Sequence, residues 1–251
     1  MSEDIFAEVS GISELIDAVK FCQKEFGKNN LWFRGHSNKD WSLIPSVYRY
    51  DNKEIFDKFE KENDICQHFR LFAPSRYNRC PARDDYPAWL FLMQHYGCPT
   101  RLLDWSAAPL VATYFACFND KYDDYDADLW ILHPTRLNNR SIDDAAFVPI
   151  GTMPLWNLFE DAFKNQKDSD IVKPFATLSE QIDLRMLVQE GAFTVHPDSN
   201  PLENLEDRAK VVKSLRIKSC HKKNVREELN LLSIKESVLF PDLSTLARKM
   251  S

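Results

Sequence analysis

Apolar side chains recur at helical spacing near the start of the chain. Residues 12–26 place Ile, Leu, Val and Phe on one helical face, with Ser10 suited to the N-cap and Gly27 suited to end the helix. An opening amphipathic helix is therefore predicted over residues 10–27. Residues 54–72 show the same spacing among many charges, which predicts a helix packed on one side only.

A short apolar run precedes an arginine and a glycine. Residues 31–33 predict a short buried strand that runs directly into Arg34 and Gly35. Glycine permits a tight turn or a close approach of two backbones. The arginine is thus expected at the end of a strand.

Two nearly all-apolar stretches predict buried helices. Residues 87–96 begin with a proline that a first helical turn accepts, and Pro99 then favours an extended turn. The second helix begins near Ala107, with Asp104 or Ser106 as its cap. Both stretches are long enough for a core and too short to span a bilayer.

The second half of the chain has weaker patterns. Strands are predicted at residues 129–132, 191–195 and 211–217, and a late helix at residues 225–232. The polar region from about 137 to 180 is expected to form an elaborated loop or lid, with one helix over residues 155–163. Together these elements predict an α+β fold, with residues 1–251 forming a single domain.

Composition and charge limit the classes of function. With 251 residues, 44% of them hydrophobic, the chain can bury one large core. Its formal net charge of -6 argues against nonspecific duplex DNA binding through a broad basic surface, while a local basic groove stays open. The start of the chain lacks the pattern of a secretory signal, so we expect a cytoplasmic protein without a membrane partner.

Several common chemistries lack their sequence signals. The six cysteines include no CxxC pair, and His95 with Cys98 supplies only half of a tetrahedral site, so we expect no metal. There is no GxSxG motif, no phosphate-cradling glycine loop and no dinucleotide-binding glycine fingerprint. Hydrolases of those kinds and kinases are therefore disfavoured.

Three separated segments combine polar groups with apolar neighbours. Arg34 follows a buried strand, so it either pairs with Asp104 or forks onto a phosphate or carboxylate of a ligand. Asp104 is suited to a helix N-cap, and Arg101 either binds phosphate or ties a loop together. Trp105 is either a core residue or a stacking wall.

The third segment carries an amide and an acid just before a predicted strand. Glu190 could stabilise a developing oxocarbenium ion, and Gln189 could orient a ribose hydroxyl or a base. Alternatively the two form an exposed turn. His36 and His95 could carry protons near neutral pH, although a lone histidine is more often a satisfied hydrogen-bonding residue.

Longer segments resemble a known family. The stretches LWFRGHSNKDWSLIPSVYR, FLMQHYGCPTRLLDWSAAPLVATYFAC, VQEGAFTVHP and LFPDLSTLARKM resemble the FRG domain, which is named for a Phe-Arg-Gly or Tyr-Arg-Gly motif. Here that motif is Phe33-Arg34-Gly35. The plan of the family looks like that of the ADP-ribosyltransferases, which implies a small mixed sheet flanked by helices.

The resemblance also implies roles for individual residues. Arg34 would hold a phosphate or ribose of NAD, Ser106 with Asp104 would position the nicotinamide ribose, and Gln189 or Glu190 would act on that ribose. The implied nucleotide site comprises Phe33, Arg34, Gly35, His36, Thr100, Arg101, Trp105 and Phe193. A transferase of this plan normally has a glutamate where the resemblance best matches Gln189.

Three functions follow as expectations. The first is transfer of ADP-ribose from NAD to an unknown protein or nucleic-acid acceptor, as in a toxin or a phage-defence effector. The second is a noncatalytic module that binds a nucleotide or a nucleic-acid end, with Trp105, Tyr96 and Phe193 as stacking faces. The third is hydrolysis of a nucleotide-sugar linkage, with Glu190 or Asp104 as the base.

Overall fold

The fold was analysed in a computed structural model of the chain. The structure describes residues 5–27, 31–49, 62–141, 153–164, 171–178 and 184–242, together with residues 245, 247 and 250. The strands are β1 (Ile5–Glu8), β2 (Trp32–His36), β3 (Leu102–Ser106), β4 (Ala127–Leu132), β5 (Phe175–Thr177), β6 (Gly191–Val195) and β7 (Val212–Ile217).

Helices alternate with these strands. They are α1 (Ile12–Phe26), α2 (Glu62–Phe72), α3 (Tyr86–His95), α4 (Pro109–Cys117), α5 (Pro134–Ser141), α6 (Met153–Asp161), α7 (Leu184–Val188), α8 (Ser219–Leu231) and α9 (Glu236–Leu239). Short 3-10 turns lie at Ser46–Tyr48, Ala73–Ser75, Asp120–Tyr122, Leu202–Asn204 and Arg208–Lys210.

The strands form one seven-stranded sheet in the order β1-β7-β4-β2-β3-β6-β5. β1 pairs with β7 in parallel, and every other pairing is antiparallel. The predicted α+β class is therefore confirmed, with a mixed sheet flanked by helices. β2 and β3 lie in the middle of the sheet although about 70 residues separate Phe33 from its partner Ser106 along the chain.

Alternation along each strand divides the apolar side chains between the two faces of the sheet. On one face, Phe33 joins a cluster formed with α1, α4 and α8. Leu102, at the start of β3, joins a second cluster that includes residues of α2, α3 and α6. On the opposite face, Trp32, Trp105 and Trp130 share a third cluster. The helices thus hold the centre of the sheet in place.

A close backbone contact explains Gly35. An added Cβ at this position would lie 2.0 Å from the carbonyl oxygen of Ala112 and 2.5 Å from the backbone nitrogen of Ala116. Both partners belong to the backbone of α4, which packs directly on β2. The close approach expected at this glycine is confirmed, and a side chain has no room there.

Most predicted elements appear with shifted ends. The opening helix, the second half of the helix predicted at 54–72, and the strands at 191–195 and 211–217 are confirmed. β2 continues to His36, so the expectation that Arg34 ends a strand is wrong. Residues 102–106 form a strand instead of a turn, because β6 pairs along their whole length.

Some expectations for the region from 137 to 180 need correction. The helix predicted at residues 155–163 is confirmed as α6, whereas α5 and β5 were not predicted. α5 contacts β5 through Asn138, whose side chain bonds both the amide and the carbonyl group of Ala176. The remainder of the predicted lid, at residues 142–152, 165–170 and 179–180, and residues 54–61 of the early helix lie outside the described residues.

Both predicted N-caps are wrong in detail, whereas Gly27 ends α1 as predicted. Gly11 occupies the N-cap of α1, and Ser10 instead donates to the carboxylate of Glu14. The Ile12 amide donates to Glu228 of α8, which supplies a tertiary acceptor in place of a local cap. α4 begins after Ala108, without a side-chain cap, because Asp104 and Ser106 belong to β3.

Candidate functional site

The centre of the sheet contains a gap between β2 and β3. These strands pair only at Phe33 and Ser106, so they diverge from that point onward. The Arg34 side chain crosses the gap, and its Nη1 donates to the Asp104 carbonyl oxygen at 2.7 Å. A side-chain donor thus replaces a backbone hydrogen bond of the sheet at this position. The gap opens one end of a cleft.

A histidine fixes the direction of the Arg34 guanidinium. Arg34 Nε donates to His36 Nε2 at 3.0 Å, and His36 Nδ1 lies 3.1 Å from the Trp41 carbonyl oxygen. Both contacts are satisfied by the neutral tautomer that carries its proton on Nδ1. Burial, and then the charge of Arg34, lower the pKa of His36 well below its usual range. His36 therefore acts as an acceptor that orients Arg34.

Arg34 remains a cation with donors to spare. Burial lowers its pKa to about 10, and Asp104 opposes this effect, so the guanidinium keeps its proton at neutral pH. Its side chain is 17% exposed, and the nearest Asp104 carboxylate oxygen lies 3.9 Å from Nη1. Within the described part of the chain, Nη2 has no hydrogen-bond acceptor. The pairing of Arg34 with Asp104 is thus loose, and the outer donors can reach a ligand.

Asp104 is held by a chain of side-chain hydrogen bonds. Gln94 of α3 donates from Nε2 to Asp104 Oδ2 at 2.7 Å. Thr100 donates its hydroxyl to Gln94 Oε1 at 2.6 Å and accepts from the Leu102 amide. The Asp104 carboxylate is 55% exposed, and its Oδ1 lacks a donor among the described residues. Thr100 and Gln94 therefore position an acid whose free oxygen can accept from a ligand.

The third segment joins the same cleft through Gln189. The Ser106 hydroxyl donates to the Gln189 carbonyl oxygen at 2.7 Å and accepts from the Ala108 amide. The Gln189 amide donates to the Leu239 carbonyl oxygen at 3.0 Å, which leaves Oε1 as an acceptor. Glu190 is exposed with a φ of 47° and does not line the cleft. Of this pair, the structure brings only Gln189 to the site.

These groups line a cleft with a volume of about 620 Å³. That volume lies within the range of small-molecule sites, roughly 300 to 1,000 Å³. Arg34, Asp104, Ser106 and Gln189 are all among the lining residues. Residues from three distant segments of the chain therefore meet in one cleft.

Aromatic side chains form the other walls of the cleft. Trp41 and Phe115 line it and are 38% and 37% exposed. Phe240, which follows α9, contacts Phe115 edge to face with ring centroids 6.0 Å apart. The Arg185 guanidinium lies 4.7 Å from the Phe240 ring. A base or another flat ring entering the cleft would meet apolar faces beside the Arg34 cation.

Several residues expected at a nucleotide site lie elsewhere. Arg101 is 5% exposed, bonds Glu62 through Nε and Nη2, and donates to the Leu158 carbonyl oxygen. It thus ties a loop together, which is the second of the two roles predicted for it. Phe193 is buried against Phe91 of α3, with ring centroids 4.9 Å apart, and does not line the cleft.

Three further expected residues are buried. Trp105 is 3% exposed and donates from its indole nitrogen to Thr194, so most of its ring belongs to the core although the residue is part of the cleft lining. Buried rings cannot provide the stacking faces expected of Trp105 and Phe193, whereas Tyr96 is 56% exposed. His36 and Thr100 are also buried and act on the site through Arg34 and Gln94.

Sequence reasoning missed Gln94, Trp41, Arg185 and Phe240. Gln94 had a usable signal, because it is a polar residue inside the apolar run PAWLFLMQHY. Trp41 and Phe240 lie in stretches that resemble the FRG domain, but nothing local to them or to Arg185 indicates a place in the cleft, since only the tertiary fold brings their segments together.

Among the residues that the structure describes, no three His, Cys, Asp or Glu side chains lie close enough together to hold a metal ion. None of the described helices is long and apolar enough to cross a membrane.

Comparison with known proteins yields one similarity. No match was found among curated proteins or among solved structures. Residues 29–125 match the model of the FRG domain, which covers less than half of the chain. The matched range contains β2, α3, β3 and α4, and with them Arg34, Gln94 and Asp104. The part of the chain that builds most of the cleft is therefore similar to the FRG domain.

Proposed function

We propose that the cleft binds NAD or a related nucleotide and that the protein transfers ADP-ribose from it to a macromolecule. One observation carries this proposal: a charged, oriented arginine lies in the gap between β2 and β3, beside a free carboxylate oxygen and an amide oxygen. Phosphate and ribose groups are what such donors and acceptors recognise. On this view the domain has the plan of an ADP-ribosyltransferase.

Arg34 is the anchor in this proposal. Its free Nη2 donors and its remaining Nη1 donor face a diphosphate or ribose oxygen, with charge-assisted hydrogen bonds that are stronger than neutral ones. His36 holds the guanidinium in that direction. Trp41, Phe115 and Phe240 supply apolar faces for the adenine or nicotinamide ring.

The transfer step needs little chemistry from the protein. The glycosidic bond between C1 of the nicotinamide ribose and the nicotinamide nitrogen breaks, and neutral nicotinamide leaves with the electron pair. A nucleophilic oxygen or nitrogen of the acceptor bonds to C1, and its proton passes to the Asp104 carboxylate or to water. Asp104 also stabilises the oxocarbenium ion that develops at C1.

Gln189 and Ser106 have supporting roles. Gln189 Oε1 accepts from a ribose hydroxyl and so orients the sugar. The Ser106 hydroxyl holds the Gln189 backbone and fixes that wall of the cleft. A glutamine takes the place of the glutamate usual in such transferases, so the site lacks a second carboxylate. Asp104 is therefore the group whose negative charge stabilises the oxocarbenium ion of the ribose.

Turnover of adenine-labelled NAD tests the proposal. We expect purified protein incubated with cell lysate to place label on protein or nucleic acid. Asp104→Asn should lower the rate by about 100-fold, the range in which groups that stabilise developing charge act. Glu190→Gln is the matched control, because this carboxylate lies outside the cleft, and it should keep nearly the full rate.

Other outcomes would identify another function. Release of free ADP-ribose without labelled macromolecules would indicate hydrolysis. Binding of NAD without turnover would indicate a noncatalytic module. Loss of activity in Glu190→Gln but not in Asp104→Asn would contradict the assigned acid.

A further inference from the structure

A second groove lies beside the cleft. Its lining includes His68, Phe72, Arg76, Tyr77 and Tyr96, and its volume is about 590 Å³. The described residues that line it include no aspartate or glutamate. We call it the side groove. It runs between the end of α2, the turn that follows, and α3.

Charge is segregated at this surface. Residues 65–83 carry four arginines, at positions 70, 76, 79 and 83, and no aspartate or glutamate, in a chain of formal net charge -6. Arg70 is turned toward Tyr86 and Phe163, whereas Arg76 lines the side groove and Arg79 is exposed two residues after Tyr77. Glu62, Asp64, Asp84 and Asp85 flank this stretch, but the described lining of the side groove carries Arg76 and no acidic side chain, which favours an anionic partner.

Aromatic rings at the side groove are open to a partner. Tyr96 is 56% exposed and Phe72 is 45% exposed. Tyr77 and Tyr96 meet edge to face with centroids 5.9 Å apart, and the Arg76 guanidinium lies 5.9 Å from the Phe72 ring. Exposed rings next to arginines are the pattern that stacks unpaired bases and neutralises their phosphates.

The side groove leads to the cleft through a connecting hollow. Tyr96 lines both the side groove and this hollow, whose volume is about 490 Å³. Gly97 and Arg185 line both the hollow and the cleft. The three openings thus adjoin one another, and the hollow between Tyr96 and the cleft that contains Asp104 is also lined by Asp242.

We infer that the side groove binds single-stranded nucleic acid and presents it to the cleft as the acceptor. Duplex DNA offers no free base faces to Phe72 and Tyr96, and an acidic peptide would use the arginines without the rings. The acceptor role rests on the proposed function, whereas binding of the strand does not.

Fluorescence anisotropy in the absence of NAD tests the binding. A labelled single-stranded oligonucleotide of about 12 nucleotides should bind at low salt, with affinity that falls as salt rises. The double variant Tyr96→Ala, Arg76→Ala should lose about tenfold or more in affinity. The matched control is Phe21→Ala, Lys24→Ala on α1, where Phe21 is 53% exposed, and it should bind as the wild type does.

Several results would overturn the inference. One is that the single-stranded oligonucleotide does not bind at roughly 100 μM protein in low salt. Another is that the wild type binds duplex DNA as tightly as the single strand, or that the Tyr96 and Arg76 variant binds the single strand as tightly as the wild type does. The last is that poly-glutamate displaces the oligonucleotide as strongly as an unlabelled single strand does. The last result would show a partner recognised by charge alone, such as an acidic protein segment.

A second measurement separates the acceptor role from the cleft. With labelled NAD, the oligonucleotide should become labelled, and the Tyr96 and Arg76 variant should lose labelling while its NAD affinity stays within about twofold of the wild type. Failure of NAD to bind, together with intact oligonucleotide binding, would overturn the proposed function and the acceptor role but not the side groove. Bound oligonucleotide that takes no label while lysate protein does would overturn the acceptor role alone.

Discussion

Three adjacent residues perform three different physical tasks at the centre of the sheet. Phe33 anchors β2 in the core, Arg34 spans the gap to β3, and Gly35 lets α4 approach the strand. Alternation along a strand makes this division necessary, since Arg34 must face away from the helix that contacts its two neighbours. The tripeptide motif is therefore explained by packing as well as by a site.

Gly35→Ala should destabilise the protein strongly. The added Cβ would meet two backbone atoms of α4, and backbone cannot move aside as a flexible side chain does. We expect a loss of about 3 kcal/mol in the free energy of unfolding, at the upper end for overpacking, measured by urea denaturation. Gly191→Ala is the control, because its nearest atom is at 3.7 Å, and it should cost less than about 1 kcal/mol. Equal losses at the two sites would contradict this account of Gly35.

The start of β3 is tied to two helices by one buried arginine. Arg101 joins Glu62 at the start of α2 and the carbonyl of Leu158 in α6. The side chains of Arg101 and Glu62 are only 5% and 11% exposed. This pair holds the strand that carries Asp104 without itself touching the cleft.

Glu62→Gln should therefore act on stability and not on the ligand. Removing one partner of a buried ion pair costs about 3 kcal/mol, because the other charge is left without compensation. The partly exposed pair of Glu160, near the end of α6, and Lys164, just after it, is the control, where Glu160→Gln should cost less than about 0.5 kcal/mol. Chemical denaturation measures the free energy of unfolding of both variants, and calorimetry should show that Glu62→Gln binds NAD with unchanged affinity. A large drop in NAD affinity would instead indicate that Arg101 contacts the ligand.

Elements with their own periodicity could be predicted, and elements defined by distant partners could not. α1 and β6 were recoverable because their apolar spacing is local. Residues 102–106 did not look like a strand, because Asp104 and Ser106 interrupt the apolar pattern and the pairing that orders them comes from β6, some 90 residues away. For the same reason Arg34 and Asp104 could be nominated from their segments, while Gln94 and Phe240 required the fold.

At the scale of the whole molecule, buried histidines link stability to pH. Burial and the charge of Arg34 lower the pKa of His196 to about 3, and His36 is lowered in the same direction. The native state keeps both neutral, whereas the unfolded chain takes up protons near pH 6.5. Because the unfolded state binds more protons, acidification below about 6.5 must favour unfolding.

The free energy of unfolding should thus fall as pH is lowered from 6.5 to 5. The limiting slope is about 1.4 kcal/mol per pH unit for each such histidine. Urea titrations at several pH values measure this slope. The range from pH 6.5 to 5 lies above the pH at which carboxylates usually titrate, so histidines dominate it. His196→Gln should reduce the slope by about one histidine's share. Stability that stays level or rises on acidification through this window would contradict the assigned neutral histidines.

Calorimetric titration of NAD into wild-type protein and Arg34→Ala tests the role of Arg34 as the anchor of the nucleotide. NAD should bind the wild type, and its affinity should fall by about 10- to 100-fold in Arg34→Ala, since hydrogen bonds to charged groups are worth about 1.5 to 3 kcal/mol. Arg140→Ala is the matched control, a half-buried arginine that bonds backbone carbonyls outside the cleft, and it should bind NAD as the wild type does. Absence of heat at millimolar NAD, or equal affinity in a folded Arg34→Ala, would contradict the account.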